Sequence, residues 1–348
     1  MFPRISVRVP YTRLLGFGRF GVLTFIYKRF LNLVMLVVLA SSLGYFLAAS
    51  ALDPRANFEG RNPPVAESTI DHKLDAINMN TKTPILERYV TWASGVIRGD
   101  LGTTLSEDSV NDEISRRIWV SLRLLFIASI LGSVLGVLAG VFSAVRQYKF
   151  FDRYFGIISF ILLSTPVFLL AILLKFGAIN LNSRIGTTLF YTVGEYTPEL
   201  SGGTWDLFVN RLQHLILPTL SFALLQIAFY SRYQRNAMLD VLSSDHLRTA
   251  RAKGLTKRQA LFKHGLRVAI LPMTTFFAYG FGTLITGAVF TETIFGWNGM
   301  GLWFITSVQS NDVNSVSAFV LFSAVLILMS GFIADVATAA LDPRVRLR

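Results

Sequence analysis

Six long apolar stretches, each free of Asp, Glu, Lys and Arg, dominate the pattern of the chain. Each contains 20 to 24 residues, and about 20 helical residues are enough to cross the ~30 Å hydrocarbon core of a bilayer. A buried core helix accounts for one such stretch but not for six, so the pattern predicts an all-α polytopic membrane protein. The six predicted transmembrane helices are residues 30–52, 124–145, 154–174, 212–231, 268–291 and 313–334.

Composition supports this interpretation. Hydrophobic residues make up 52% of the chain, charged residues only 16%, and the mean hydropathy is +0.51, whereas a soluble domain has about 25% charged residues. The predicted spans are flanked by a basic arm at 1–29, an extracytoplasmic region at 53–123 and a tail at 335–348. The absence of cysteine excludes disulfides, thiolate metal sites and cysteine nucleophiles.

The distribution of charge predicts the orientation of the spans. Segments 1–29, 146–153, 231–267 and 335–348 hold 21 of the 33 Lys and Arg residues but only 5 of the 21 acids. Because cytoplasmic loops carry the excess of Lys and Arg, these segments and both termini are predicted to be cytoplasmic. The net charge of +12 is then a signal of topology. The first apolar stretch is predicted to be a retained span, since no cleavage pattern follows it.

A strongly basic segment, residues 243–272, lies between the fourth and fifth predicted spans. It carries seven Lys and Arg residues against the single acid Asp245. Ser244 is predicted to cap a helix over about 245–253, and Gly254 is predicted to end it in a left-handed conformation. Thr256 and Gln259 have the spacing of a reciprocal capping box, which predicts a second short helix over 257–267.

The basic segment also carries a motif, A-R-A-K-G followed by H-x-L-R-x-A-x-x-P. It is matched at Ala250–Gly254, His264, Leu266, Arg267, Ala269 and Pro272. This motif resembles the cytoplasmic EAA-type loop of ABC importer permeases, in the branch that carries peptides and nickel. Arg248 stands where the general motif has glutamate, and the distance from Gly254 to Pro272 is longer than in the general pattern. Both departures resemble that branch.

Other segments resemble the same branch, in the same order along the chain. They are Gly99–Thr104 before the second span, Arg116–Leu122 leading into it, Glu292–Gly301 after the fifth span, with Asn298 where proline is common, and Asp342–Arg346 in the tail. The resemblance implies a type I ABC importer permease fold, with a permease core at 124–334, cytoplasmic coupling helices, and an EAA-type loop at 243–272.

In that family the EAA-type loop is the surface that the ATPase subunit grips. The resemblance therefore implies ATPase coupling through Arg248, Thr249, Ala250, Arg251, Lys253, Gly254, Leu255, Thr256, Lys257, Leu261 and His264. A basic loop beside a membrane span also serves to fix topology and to contact anionic lipid. The flanking spans argue against a nucleic-acid-binding patch.

Several residues at or near the spans are candidates for the translocation path. Gln226, Thr283 and Thr286 are predicted to line it, with interhelical hydrogen bonding as the alternative for Gln226. Glu292, Phe295 and Trp297 are predicted to form either an extracytoplasmic scoop that faces the substrate or a set of interfacial anchors. The glycine stripe at Gly132, Gly136 and Gly140 predicts close helix packing, within this chain or with a partner.

The energy source is predicted to lie outside this chain. The predicted spans contain no ionisable Asp, Glu, Lys or Arg, which argues against a secondary carrier, and there is no Walker-type phosphate loop. The chain is therefore predicted to be a transport subunit rather than an enzyme, with no cofactor or metal of its own.

The resemblance implies a bacterial inner-membrane assembly in which the partners do the remaining work. The implied partners are a second homologous permease subunit, two ATPase subunits that bind ATP and Mg, an extracytoplasmic substrate-binding protein, the lipid bilayer, and an oligopeptide or dipeptide substrate. Nickel or another small solute is the alternative cargo. A stand-alone channel or secondary transporter is the alternative outside the family.

Overall fold

The computed structural model describes residues 20–60, 62–198 and 202–341, and within these ranges its regular structure is helical. The α-helices are α1 Phe20–Ala51, α2 Glu67–Ala76, α3 Ile85–Ile97, α4 Val110–Val145, α5 Phe150–Ser164, α6 Val167–Ile185, α7 Thr204–Leu242, α8 Asp245–Ala252, α9 Lys257–Ala260, α10 Leu266–Phe295, α11 Met300–Gln309 and α12 Val313–Leu341. A 3-10 helix covers Pro54–Phe58 and a π-helical turn covers Leu261–Gly265.

The all-helical membrane architecture predicted from the sequence is confirmed. Within the described ranges, five helices are long and apolar enough to cross a bilayer, namely α1, α4, α6, α7 and α12. The fifth predicted span, 268–291, lies inside the 30-residue helix α10, whose side chains are described in part. The predicted arm 1–29 and the tail 335–348 lie partly outside the described residues.

The third predicted span, 154–174, is interrupted between α5 and α6. Pro166 has no N–H to donate, and its ring disfavours a helical conformation at Thr165, which is extended at φ −96° and ψ 122°. The helix of spanning length is therefore α6, and it places Lys175 in its interior. The prediction that spans lack ionisable residues is wrong for α6.

Lys175 is held by the end of another helix. Its ammonium donates to the carbonyl of Ile294 and lies 5.9 Å from the centre of the Phe295 ring, in the last turn of α10. Carbonyl groups at a helix C-terminus favour a cation. An ammonium group has no lone pair to offer a coupling sodium ion, and this contact ties α6 to the end of α10.

Helices α4 and α7 pack closely against each other in the core. The glycine stripe of α4 lies directly on α7, so that a Cβ added at Gly136 would be 2.6 Å from Tyr230 Cβ and one at Gly140 would be 2.5 Å from the carbonyl oxygen of Ser231. Small residues at such positions allow two helix backbones to approach closely. The stripe therefore packs two helices of this chain against each other.

One end of the bundle is covered by residues 53–60 and 62–109, which we call the cap. Its helix α3 packs on α1 through Trp92, whose ring stacks on Tyr45 with centroids 4.8 Å apart. The start of α12 fixes the cap by polar contacts: the Asn314 amide donates to the carbonyls of Ile77 and Thr103, each at 2.9 Å. The cap thus joins the C-terminal part of α1 to the first turn of α12.

Candidate functional site

The basic segment lies at the end of the bundle opposite the cap, where it rests on an apolar cluster. Leu247 of α8 and Leu261 of the π-helical turn are both 5% exposed. They pack with Ala260 of α9 and with buried residues from the ends of α4, α7 and α10, namely Ala144, Met238, Val241 and Ala269. Burial of this apolar surface holds α8 and α9 against the bundle.

The predicted caps of the basic segment are found in two of three cases. Thr256 and Gln259 form the capping box. The Thr256 backbone nitrogen is 3.0 Å from Gln259 Oε1, and the Gln259 backbone nitrogen is 3.2 Å from Thr256 Oγ1. Gly254 follows α8 with φ +94°, a conformation in which a Cβ is strained. The prediction for Ser244 is wrong, because its hydroxyl donates back to the carbonyl of Val241 at 2.5 Å and makes no cap for α8.

The predicted second helix, 257–267, is not a separate element. Backbone from Lys257 to Phe295 is helical without interruption, passing from α9 through the π-helical turn into α10. Gly265, which resembles a helix stop in sequence, has right-handed helical angles. A Cβ there would be 3.3 Å from side-chain atoms of Leu247 and Val241, so the glycine serves the packing of α8 against this helix.

Most residues predicted to couple to an ATPase lie on the outer face of the basic segment. Exposed are Arg248, Thr249, Arg251, Lys253, Gly254, Thr256, Lys257 and His264, while Ala250 and Leu255 are half-buried. Leu261 is the exception. Its side chain is buried beneath α8, where it supports the surface but cannot touch a partner.

The charges on this face remain largely uncompensated. The side chains of Arg248 and Asp245 approach to 3.4 Å, but they are 79% and 95% exposed, and such exposed pairs contribute little. Phe262 is also exposed, at 54%, with the Arg258 guanidinium 5.9 Å from its ring centre. The sequence-based prediction missed Phe262, although an apolar residue inside a basic helix was a usable signal.

Glu292 is buried at the cap end and is not part of an exposed scoop. It is 0% exposed and accepts hydrogen bonds from the Ser121 hydroxyl at 2.5 Å and from the backbone N–H groups of Gly301 and Leu302 at 2.7 and 3.1 Å. The carboxylate therefore caps the N-terminus of α11. A Cβ on Gly299 would lie 2.6 Å from the same carboxylate, which explains the small residue beside it.

Phe295 and Trp297 are likewise interior residues, 1% and 2% exposed. They pack in the main apolar cluster with Met300 and Trp303. The predicted scoop and the predicted interfacial anchors are both wrong for these two rings. The physical reason is α11, which folds back over the loop after α10 and covers residues that would face water if the loop were extended.

Of the predicted path residues within the spans, Gln226 is the one whose side chain the structure describes. Gln226 is half-buried and packs on the glycine stripe, with its Cβ 2.5 Å from where a Cβ on Gly132 would be. Its Oε1 atom is buried with no hydrogen-bond partner among the described residues. Thr283 and Thr286 are in α10, but their side chains lie outside the described part of the structure.

An ion pair between α5 and α7 lies at the same end of the molecule as the basic segment. The Arg235 guanidinium of α7 donates to both carboxylate oxygens of Asp152 of α5, at 2.6 and 2.8 Å. The backbone N–H of Tyr148 donates to the same carboxylate at 2.8 Å. Hydrogen bonding to Arg235 is the main reason that the pKa of Asp152 lies below its ordinary value.

Comparison with known proteins gives one family and a set of full-length relatives. The family described as "binding-protein-dependent transport system inner membrane component" matches residues 136–347. The chain is 49% identical over 320 residues to the oligopeptide transport system permease protein OppB of Mycobacterium tuberculosis, covering 92% of this chain and 98% of that protein.

Two relatives of lower identity are also named as peptide transport permeases. Identity is 34% over 286 residues with the oligopeptide transport system permease protein AppB of Bacillus subtilis, covering 82% of this chain and 87% of AppB. It is 32% over 276 residues with the dipeptide transport system permease protein DppB of Escherichia coli, covering 76% and 81%.

Proposed function

Because this chain belongs to the family of binding-protein-dependent transport system inner membrane components, we propose that it forms half of the translocation path of an ABC importer for oligopeptides or dipeptides. It is a transport component rather than a catalytic enzyme. The proposed cargo is supported by the names of the relatives, which are oligopeptide, dipeptide and di/tripeptide permeases.

The proposed assembly places the basic end in the cytoplasm and the cap outside. The excess of Lys and Arg in the basic segment and in both terminal segments supports this orientation. A second homologous permease completes the path, two ATPase subunits bind ATP and Mg at the basic end, and a substrate-binding protein delivers peptide at the cap. Both termini are then cytoplasmic.

The observation that carries the proposal is a surface that is exposed on one side and anchored on the other. Arg251 and Lys257 point outward from short helices whose inner residues, Leu247 and Leu261, are buried against the ends of α4, α7 and α10. A partner that binds this face pushes on packed helices rather than on a free loop. This is helix-in-groove recognition in which the bound helix also transmits displacement.

Displacement at this face has a continuous route to the cap end. The helical run from Lys257 to Phe295 contains the π-helical turn and Pro272, two points at which a helix bends. At its far end Glu292 holds both Ser121 of α4 and the N-terminus of α11. A tilt of α10 driven by ATP binding therefore moves the elements that border the outside, as alternating access requires.

Site-directed crosslinking tests the coupling surface cleanly, since this chain contains no cysteine. Lys257→Cys introduces its single thiol on the proposed contact face, and Thr91→Cys, exposed on α3, is the matched control at the cap. We expect Lys257→Cys to crosslink to an ATPase subunit in membranes, with a yield that changes when ATP is added. Crosslinks to lipid alone, or equal ATPase crosslinking from Thr91→Cys, would refute the proposal.

Cargo is tested separately by uptake. A strain that lacks this chain and is complemented with it should regain uptake of labelled di- and oligopeptides but gain none of free nickel. Nickel uptake without peptide uptake would replace the proposed cargo. Flux through the reconstituted chain alone, without ATP, would remove the importer proposal and favour a channel or secondary carrier.

A further inference from the structure

A cavity of about 310 Å³ lies at the basic end, between the end of α4, the start of α5 and the last turns of α7. It is separate from the exposed face of α8 and α9. Its walls include three arginines and one carboxylate, namely Arg153, Arg232, Arg235 and Asp152. The proposed coupling surface does not account for a cavity of this volume and charge.

The charges of the cavity do not cancel. Asp152 is already bound on both oxygens by Arg235. Among the described residues, neither Arg153 nor Arg232 has a carboxylate within ion-pair distance, and the Arg232 guanidinium instead lies 3.5 Å from the centre of the Phe160 ring. The cavity therefore presents two arginines with unpaired charge to whatever enters it.

Hydrogen bonds hold the charged wall of the cavity in a fixed arrangement. Asp152 is 6% exposed, and the backbone N–H that reaches it belongs to Tyr148, which has φ +62°. A tyrosine in the left-handed region is uncommon and costs free energy. The bond to Asp152 compensates part of that cost and fixes the turn between α4 and α5 at the mouth of the cavity.

The surroundings place the cavity at the boundary between head groups and acyl chains. Tyr148 and Phe150 are 69% and 74% exposed near the mouth, and Ile157 and Ile161, further along α5, are 56% and 61% exposed. Aromatic residues are enriched where a membrane meets water, and apolar residues face the hydrocarbon. A molecule with an anionic group and long apolar chains matches both regions at once.

We propose that this cavity binds the phosphate head group of an anionic phospholipid of the cytoplasmic leaflet. Arg153 and Arg232 contact the phosphate oxygens, for which a planar guanidinium with several donors is suited. Arg235, fixed by Asp152, forms the back of the site, and the acyl chains lie along Ile157 and Ile161. Basic pockets between transmembrane helices on the cytoplasmic side favour such lipids. The leaflet assignment rests on the orientation proposed above.

Native mass spectrometry of the intact transporter in mild detergent tests this directly. Dioleoyl phosphatidylglycerol, dioleoyl phosphatidylcholine and soluble glycerol 3-phosphate are titrated in parallel. We expect the anionic lipid to be retained more tightly than either of the others, which separates a lipid from a free phosphate. The variant pair Arg153→Gln/Arg232→Gln should weaken its retention by roughly 25-fold, about five-fold for each arginine.

Two further variants keep the test decisive. Arg153→Gln alone removes an exposed side chain, so it should fold normally and lose about five-fold in retention. Arg184→Gln removes an arginine near the other end of the bundle, at the end of α6, and should change nothing. Equal retention of the three ligands, unchanged retention in the arginine variants, or loss of a partner subunit instead of lipid would each overturn the proposal. Peptide uptake is measured in cells that express the same variants, so failure of transport is distinguished from failure of lipid binding.

Discussion

Replacing Gly140 of α4 by alanine should destabilise the protein, because the helix it faces cannot move away locally. A Cβ at this position would lie 2.5 Å from the carbonyl oxygen of Ser231, 2.8 Å from Gln234 Cβ and 3.0 Å from the backbone nitrogen of Arg235. Two of these three atoms belong to the backbone of α7, so no side-chain rotation relieves the contact. Reaching an ordinary separation of 3.4 Å requires a shift of about 0.9 Å.

The size of the effect follows from two opposing terms. Alanine is favoured over glycine inside a helix by about 0.5–1 kcal/mol, whereas overpacking a tight contact costs about 1–3 kcal/mol. We therefore expect a net loss of about 0.5–2 kcal/mol. Gly177→Ala on α6 is the matched control, since nothing lies within 4 Å of the added Cβ, and it should stabilise by about 0.5–1 kcal/mol.

Thermal unfolding of the purified protein in detergent, followed by tryptophan fluorescence, measures both variants. For a chain of this size about 1 kcal/mol corresponds to a shift of roughly 2 °C in Tm, so the two variants should move in opposite directions. A Gly140→Ala protein that unfolds at or above the wild-type temperature would refute the geometric reasoning. Equal destabilisation by Gly177→Ala would also refute it, because the loss would then not come from the contact with α7.

Three other changes have expected outcomes that simple assays check. Gly254→Ala places a Cβ at φ +94° and should cost about 1–2 kcal/mol locally, seen as faster proteolysis of the basic segment while the spans stay intact. Asp152→Asn leaves Arg235, which is 27% exposed, without its partner and should cost about 1–3 kcal/mol at pH 7 after allowance for that exposure. The pKa of Asp152 in the folded protein lies below its ordinary value of 3.8. The ion pair therefore stabilises the protein fully above pH 3.8, and this stabilisation is lost as the pH falls through the lowered pKa. The Tm of the wild type and the Tm of the variant should converge only in strong acid. Glu292→Gln weakens the cap of α11 and should lower Tm by a few degrees, whereas the exposed Glu87→Gln should leave it unchanged.

Local signals in the sequence predicted local structure well. The capping box of Thr256 and Gln259 and the left-handed Gly254 depend on side chains and backbone within three residues, so the pattern contains all the information needed. The glycine stripe of α4 also predicted close packing. The sequence left open whether the partner helix was in this chain, because a stripe on one helix does not specify what faces it.

Two kinds of feature were not predictable, namely the choice between competing local hydrogen bonds and the contacts between distant residues. Ser244 has the identity and position of a helix cap, but its hydroxyl is taken by the carbonyl of Val241 at the end of the preceding helix. Glu292 follows an apolar stretch and so indicated an exposed loop. Its burial depends on α11, a helix that the charge pattern did not separate from the loop, and on Ser121 from a helix 171 residues earlier.

The unbroken helix from Lys257 to Phe295 also restricts how this region can change in evolution. Adding one residue within it would rotate everything beyond that point by about 100° and advance it by ~1.5 Å, turning Glu292 away from Ser121 and from the amides of α11. Substitutions on the bilayer-facing side leave that alignment intact. Homologous chains should therefore vary freely on the bilayer-facing side of this helix while keeping its residue count constant, with insertions and deletions confined to the loops at either end.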